Sequence, residues 1–401
     1  MGKEEGVITK PAGFRASGVS CGIKSRPGIP DLGILLAEAP ATVAGMFTTN
    51  RVCAAPVVLS RERVAQGKVR GLVVNSGNAN ACTGEQGLTD ARKMTELAAQ
   101  ALGTRPEEFL VASTGIIGHR LPMELVQDGI AAATKNLSAE LDGARLFARA
   151  ICTTDRWTKE AMRTAQVGGQ TLTVAGVAKG AGMISPHLAT MLSFLTTDAN
   201  VEPGLLSELT RTACSRTFNA ITVDGDMSTN DTLLVFASGR AGAPLTAGSA
   251  EAGAFAEALE AVMLELAQSI VRDGEGATRL VTVVVKGAAD NDEADRAARR
   301  IAGSQLVKCA MFGADPNWGR IVAAAGSTGI RMEENRTTLR IGGHVIYNAG
   351  TPKRATRQLM SYMKGHTIDI ELDLGLGQGT AAMYTCDLTH DYVTLNAEYH
   401  T

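Results

Sequence analysis

Residues 179–200 constrain the fold of this chain most, because they join a turn-forming segment to a small, apolar segment around one hydroxyl. The first half contains Gly180, Gly182 and Pro186. Glycine permits backbone angles that other residues avoid and proline fixes φ, so this half is predicted to turn sharply. The second half places Thr190 between alanine, methionine and leucine residues, as in a buried strand or helix.

Thr190 has two interpretations. A threonine in an apolar run is usually a strand or helix residue whose hydroxyl bonds a backbone carbonyl. It can instead be a nucleophile that uses its own α-amino group as the base, once the preceding peptide bond has been cut. That amine has an unperturbed pKa of roughly 7.7–8, which leaves a usable fraction as free base at neutral pH. Ala189 and Thr190 supply the small acyl residue and the β-hydroxyl that such a cut requires.

Composition argues against several classes of protein. The 401 residues suffice for two or three domains, and the net charge of −2 without long runs of one sign argues against nucleic acid or a membrane surface as partner. No apolar run reaches membrane-spanning length, and the N-terminal segment lacks the apolar core of a signal peptide. Cysteines and histidines are scattered without metal-ligand spacing, so we expect a cytoplasmic protein with reduced thiols and no metal site.

Strand and helix patterns are interspersed along the chain. We predict strands at residues 71–74, 109–112, 170–177, 280–286 and 306–312, and an alternating, half-exposed antiparallel strand at 366–374 that returns at 381–386. Helices are predicted from the N-cap Thr89 to the stop at Gly103, after Pro122, at 205–217 and at 255–272. Gly342 and Gly343 predict a tight hairpin. The polar run 287–295 predicts a boundary between an N-terminal catalytic domain, 1–286, and a C-terminal domain, 287–401.

Two motif matches fail on inspection. Asp224, Asp226 and Ser228 resemble the start of a calcium loop, but the sixth position is Thr229 and the twelfth is Val235, where glycine and glutamate are required. Residues 375–379 are glycine-rich, but their spacing and the short remaining chain do not fit a dinucleotide-binding unit. Neither calcium nor a dinucleotide is predicted.

Two further segments could contribute polar groups to a site. A threonine and a glycine at a strand end, here Thr114 and Gly115, can offer a hydroxyl and a backbone N–H to a developing oxyanion, although most such sequences are ordinary turns. Glu275 lies in a glycine-flanked turn, where a glutamate is usually only solvated. On the residues alone, these remain weak signals.

Five long motifs together closely resemble the ornithine acetyltransferases (glutamate N-acetyltransferases): residues 75–84, 179–200, 217–232, 272–278 and 313–320. They occur in that family's order over nearly the whole chain. The resemblance implies an α/β (α+β) fold with sheets sandwiched between helices, and a chain that cleaves itself between Ala189 and Thr190. The fragments 1–189 and 190–401 would stay together in an α2β2 heterotetramer. The implied activity is acetyl transfer from N-acetylornithine to glutamate in arginine biosynthesis, through an acetyl-Thr190 intermediate and without a cofactor.

The resemblance also implies roles for individual residues. It places the oxyanion hole at Thr114 and Gly115, and substrate contacts, besides Thr190, at Thr153, Lys179, Glu275, Asn396 and Thr401. Thr154 is a one-residue alternative to Thr153. Arg156 departs from the small or polar residue expected at its position, and Ser185 and His187 also depart from the pattern.

The sequence leaves three points of function open. Family members that also take acetyl from acetyl-CoA share these motifs with members that do not. A self-cleaving threonine amidase or aminopeptidase would use the same nucleophile with water as acceptor, and glutamate-dependent turnover would separate the two. A non-catalytic binding protein that retains the fold would show neither cleavage nor turnover.

Overall fold

The computed structural model describes residues 6–185 and 191–398 as a mixed α/β fold built on two sheets. The predicted fold class is confirmed. Ala189, Thr190 and Thr401 lie outside the described residues. Within the described ranges, no helix combines the length and apolarity that a membrane span requires.

The larger sheet has eight strands in the described part of the chain: β1 (Phe14–Val19), β2 (Leu32–Phe47), β3 (Lys68–Asn78), β4 (Phe109–Ile116), β5 (Lys159–Val167), β6 (Gln170–Lys179), β7 (Leu192–Val201) and β8 (Thr232–Leu245). Their order is β4-β3-β2-β8-β7-β6-β5, and β1 pairs with β2. The pairs β3–β4 and β7–β8 are parallel, and the others are antiparallel. These pairings place the end of β6 beside the starts of β7 and β8. The end of β4 is joined to the start of β8 by the Asn230 side chain, which donates to the Ser113 carbonyl.

Helices cover both faces of this sheet: α1 (Ala55–Val64), α2 (Gly84–Leu102), α3 (Met123–Lys135), α4 (Leu141–Ala150), α5 (Pro203–Arg216) and α6 (Ala250–Arg272). Successive strand residues point to opposite faces. On β8, Leu233 and Val235 pack with α5 and α6, whereas Leu234 and Phe236 pack into the core that contains α4. Helices α2 and α3 cover the β2–β4 half. The sheet is thus buried on both sides, as predicted.

The smaller sheet of the described chain contains β9 (Leu280–Ala288), β10 (Thr338–Ile341), β11 (His344–Asn348), β12 (Thr351–Pro352), β13 (Thr367–Asp373) and β14 (Gly379–Cys386). Its order is β12-β11-β10-β13-β9-β14. The C-terminal helices are α7 (Asn291–Ala302), α8 (Gln305–Phe312), α9 (Trp318–Gly326), α10 (Arg357–Tyr362) and α11 (His390–Glu398). Helices α7 to α10 contribute to the core on this sheet, whereas α11 has no buried residue. The predicted boundary at residue 287 falls within β9.

Two local predictions were wrong, and a third was only partly right. Residues 306–312 form helix α8, not a strand, because a short apolar run fits either structure and the Ser304 hydroxyl caps the helix by accepting the N–H of Val307. Helix α2 begins at Gly84, so Thr89 lies inside it and donates its hydroxyl to the Glu85 carbonyl. The strand at 366–374 is half-exposed as predicted, but it pairs antiparallel with β10 and parallel with β9.

Candidate active site

A cleft of about 180 Å³ lies where the ends of β4 and β6 meet the loops after α4 and α6, and helix α11. The described residues that line it include six of those predicted from sequence: Thr114, Gly115, Thr153, Lys179, Glu275 and Asn396. They come from five separate segments of the chain. Folding therefore brings together the predicted site residues that lie in the described part of the chain.

Lys179 and Thr114 form a buried polar contact in the wall of the cleft. Lys179 is the last residue of β6, and its Nζ donates to Thr114 Oγ1, on β4, at 3.0 Å. Both side chains are buried. Burial lowers the pKa of Lys179, although the Asp155 carboxylate partly opposes this shift. Because Thr114 Oγ1 already accepts from the ammonium, its own O–H remains as a donor.

Gly115 has a backbone conformation that its position requires. Its φ is +131°, and a Cβ built on it would approach Gly77 C at 2.3 Å. Only glycine fits this close approach of β3 and β4. The site end of β4 is therefore fixed by backbone packing, which suits a donor that must be in place before the reaction.

Glu275 is held by polar partners from two other segments. Thr154 Oγ1 donates to Glu275 Oε1 at 2.9 Å, and Asn396 Nδ2 donates to Glu275 Oε2 at 3.0 Å. The N–H of Glu275 donates to the Ala181 carbonyl at 2.8 Å. The carboxylate is thus oriented by two donors and its backbone is held by a third bond, unlike a solvated loop glutamate.

Gly276 allows helix α11 to reach the cleft. Its φ is +70°, and a Cβ there would lie 2.5 Å from the Tyr392 nitrogen. The Thr389 hydroxyl donates to the Gly276 carbonyl at 2.8 Å, at the start of the helix. The chain end that carries Asn396 is therefore anchored beside Glu275.

Thr153 and Thr154 both line the cleft, so the structure does not select one of them. Thr154 contacts Glu275 through its hydroxyl, whereas the N–H of Thr153 donates to Asp155 Oδ2 at 2.8 Å. Asp155 Oδ1 in turn accepts the N–H of Gly180 at 2.8 Å. One buried carboxylate therefore fixes the two segments that carry Thr153 and Lys179.

A buried ion network lies behind the cleft, and sequence reasoning missed it. Lys159 Nζ donates to Asp155 Oδ1 at 2.5 Å and to Asp273 Oδ2 at 2.6 Å, and all three side chains are fully buried. Burial alone would raise the pKa of Asp155, but Lys159, Lys179 and the N–H of Gly180 hold it well below its usual range. Burial alone would lower the pKa of Lys159, but the two carboxylates outweigh the effect of burial and raise this pKa.

The ion network explains how Arg156 fits at a position where the family resemblance predicts a small or polar residue. The N–H and Nε of Arg156 both donate to Asp273, at 3.0 and 2.8 Å, and its guanidinium lies 5.0 Å from the Trp157 ring centre. Asp273 is two residues before Glu275. Arg156 thus ties the loop after α4 to the loop after α6.

The segment first compared with a calcium loop has a structural role. Asp224 accepts the N–H groups of Met183 and Ile184 at 2.6 and 2.8 Å, which fixes the loop after β6. Burial raises the pKa of Asp224 to about 6, against the effect of these bonds. Across residues 6–185 and 191–398, no group of three side chains is arranged to hold a metal ion.

Comparison with known proteins gives consistent matches. The model of the ArgJ family matches residues 15–401. A protein of Symbiobacterium thermophilum is 49% identical over 399 residues, 99% of each chain, and one of Geobacter sulfurreducens is 49% identical over 397 residues, 97% of this chain and 99% of its own. Both carry the name arginine biosynthesis bifunctional protein ArgJ. The crystal structure of the protein of that name from Bacillus halodurans is 42% identical, with a TM-score of 0.50, and the match covers 51% of this chain and 98% of that chain.

Proposed function

The chain belongs to the ArgJ family, and we propose that it transfers acetyl from N-acetylornithine to glutamate through Thr190. It is an acetyltransferase of arginine biosynthesis. One observation carries the proposed mechanism: the predicted oxyanion and substrate groups share one cleft, beside the point where the described chain resumes at Met191. Leu192 pairs directly with Lys179, and Thr190 is two residues before Leu192 in the sequence.

The first step is self-cleavage. The Thr190 hydroxyl attacks the Ala189 carbonyl, the acyl group moves from nitrogen to oxygen, and water hydrolyses the ester to give fragments 1–189 and 190–401. The match to the Bacillus halodurans structure supports this step, because 98% of that crystallised chain corresponds to only 51% of this one. A relative cut near its middle would give a polypeptide of that size.

Acetyl transfer then follows a ping-pong cycle. The new α-amino group of Thr190 takes the hydroxyl proton, and the oxygen attacks the acetyl carbonyl of N-acetylornithine. Ornithine leaves with that proton on its nitrogen, and acetyl-Thr190 remains. The amine of glutamate attacks the ester, which gives N-acetylglutamate and restores the threonine.

Thr114 and Gly115 stabilise the oxyanion in each step. The Thr114 O–H is polarised because its oxygen accepts from Lys179. We expect Thr114→Val to lower kcat about 10²–10³-fold, the usual cost of one lost oxyanion donor. Thr171→Val is the matched control on β6, since that exposed hydroxyl bonds only the Gln166 side chain among the described residues. Equal kcat values for the two variants, measured by steady-state kinetics, would contradict the assignment.

Glu275 holds the α-amino group of the acceptor. A charged ammonium can bond a carboxylate that Thr154 and Asn396 already orient. N-acetylornithine carries no charge on its acetylated α-nitrogen, so this contact favours free glutamate and departing ornithine. Lys179, the cationic residue among the described residues of the cleft wall, is suited to a substrate carboxylate.

We expect Glu275→Gln to lower kcat/KM for glutamate about 10–100-fold, because a hydrogen bond to a charged group contributes about 1.5–3 kcal/mol. The kcat/KM for N-acetylornithine should change less. The control is Glu265→Gln on α6, where Glu265 forms an exposed ion pair with Arg163 of β5. Initial rates with both substrates varied would decide, and equal loss for the two substrates would contradict this role.

The amidase alternative differs in what accepts the acetyl group. We expect ornithine release from N-acetylornithine to require glutamate, with one N-acetylglutamate formed per ornithine. Release of acetate and ornithine without glutamate, quantified by NMR of the reaction mixture, would identify water as the acceptor and overturn the transferase proposal.

Three further properties complete the proposal. The name of the relatives, bifunctional protein ArgJ, supports acetyl-CoA as a second acetyl donor, which release of free CoA on addition of glutamate would test. The two fragments remain associated as an α2β2 heterotetramer in the cytoplasm. The site requires no cofactor, because the nucleophile, the base and the oxyanion donors are all groups of the chain.

A further inference from the structure

Asp226 is a charged residue of the cleft wall that the proposed cycle does not use. It lines the cleft and its side chain is exposed. Across residues 6–185 and 191–398, no side chain or backbone group donates to its carboxylate or forms an ion pair with it. An exposed carboxylate is usually only solvated, but a carboxylate in the wall of a substrate cleft is also available to a ligand.

The turn that carries Asp226 is held in place by its neighbour Asp224. The Asp224 carboxylate accepts the N–H of Asp226 at 3.2 Å, and Gly225 between them has a φ of +84°. The same carboxylate accepts the N–H groups of Met183 and Ile184 in the loop after β6. The backbone of Asp226 is therefore fixed to that loop, while its own carboxylate remains without a partner in the described chain.

Tyr392 on α11 relates this turn to the opposite part of the cleft wall. Its hydroxyl bonds the Asp224 carboxylate. Burial raises the pKa of Tyr392, and three carboxylates add to this effect: Asp224, Asp226 and Glu275. One phenol therefore lies close enough to interact both with the 224–226 turn and with the substrate residue Glu275. The carboxylates of Asp226 and Glu275 thus belong to one continuous wall.

The charges of the described cleft wall do not balance. Lys179 supplies the positive charge, whereas Asp224, Asp226 and Glu275 carry carboxyl groups. Asp226 adds to the effect of burial that raises the pKa of Asp224, as expected for like charges close together. A ligand that brings a positive charge to this part of the wall would relieve the repulsion.

N-acetylornithine brings such a charge. Its acetylated nitrogen is neutral, so its charged groups are the α-carboxylate and the ammonium at the end of its side chain. Lys179 is suited to the α-carboxylate, and the ammonium requires a carboxylate partner. Glu275 already accepts two side-chain donors, and Asp224 accepts backbone N–H groups. Asp226 is the carboxylate of the described wall that has its full capacity to accept hydrogen bonds.

We propose that Asp226 binds the side-chain ammonium of N-acetylornithine and thereby selects the acetyl donor, an inference that rests on the proposed function. The contact is a charge-assisted hydrogen bond between ammonium and carboxylate. Glutamate carries a second carboxylate in place of the ammonium, and Asp226 repels that group. Asp226 therefore favours the donor and does not assist the acceptor, in contrast to the role proposed for Glu275.

The test measures kcat/KM of Asp226→Asn for two donors, N-acetylornithine and N-acetylnorvaline, which has the same carbon side chain without the ammonium. N-acetylglutamate formed at a fixed glutamate concentration is quantified by mass spectrometry. We expect the substitution to lower kcat/KM for N-acetylornithine about tenfold or more, the effect of losing a hydrogen bond to a charged group. The kcat/KM for N-acetylnorvaline should stay unchanged, and that for glutamate should stay equal or rise.

Asp128→Asn is the matched control, because Asp128 is an exposed residue of α3 outside the cleft wall. It should leave all three values unchanged. An unaltered kcat/KM for N-acetylornithine in Asp226→Asn would overturn the inference and leave the proposed function intact. An equal loss for N-acetylornithine and either of the other substrates would also overturn it, because Asp226 would then only maintain the shape of the cleft. An unmodified chain that forms no N-acetylglutamate from N-acetylornithine would overturn both.

Discussion

Replacing Thr190 with alanine is expected to give a single uncut chain of 41.8 kDa that has no acetyltransferase activity. The substitution removes the hydroxyl that attacks Ala189 during self-cleavage. It also removes the oxygen that would carry the acetyl group, and without the cut no α-amino group is released to serve as base. Cleavage and turnover should therefore be lost together, which denaturing intact mass and an ornithine-release assay would show.

Thr190→Ser is the matched control for this result. Serine keeps both the β-hydroxyl and, after cleavage, the α-amino group, so this variant should cut and turn over, although at reduced rates. Residual cleavage or turnover in Thr190→Ala would contradict the assignment of the nucleophile. Loss of both activities in the serine variant would instead point to a role of the threonine methyl group.

Replacing Lys159 with methionine is expected to lower the free energy of unfolding by about 3–5 kcal/mol, because it leaves two buried carboxylates without their shared ammonium. The fold should weaken at the loops that carry Thr153 and Glu275, since Asp155 and Asp273 are anchored there. Denaturant unfolding in the Thr190→Ala background measures this in one continuous chain, without dissociation of fragments.

Arg163→Met provides the control for Lys159, four residues further along β5. Arg163 pairs with Glu265 at 2.6 Å, but both side chains are about half exposed. Exposed ion pairs contribute about 0–1 kcal/mol, so this variant should remain close to the parent. Equal unfolding free energies for the two variants would contradict the role of Lys159 as the centre of the network.

The family resemblance was sufficient to predict residues that the structure brings together in one cleft. Thr114, Lys179 and Glu275 were each assigned by resemblance, and the structure places all three in one cleft. On the residues alone they were weak signals, because a triplet at a strand end or a glutamate between glycines has no partner until the chain folds. Their partners are 65 to 121 residues away along the chain.

Lys159 could not be identified in the same way. A lysine on a strand is ordinarily predicted to face solvent, whereas Lys159 is buried between Asp155, four residues earlier, and Asp273, from the loop after α6.

Errors in secondary structure came from short segments. The run Gln305–Phe312 is apolar on too many positions to show a helical period, and the cap at Ser304 decides its structure. The pairing of β13 was predicted from its alternation alone. Alternation shows which face is buried but does not reveal whether a neighbour such as β9 runs parallel.

The most direct test of the account is the intact mass of the purified, unmodified protein under denaturing conditions. We expect two polypeptides, residues 1–189 and 190–401, with threonine at the N-terminus of the second. This result would establish the cut that creates the nucleophile and its base. A single chain of 41.8 kDa with full glutamate-dependent transferase activity would contradict the central claim, because catalysis would then proceed without a free α-amino group on Thr190.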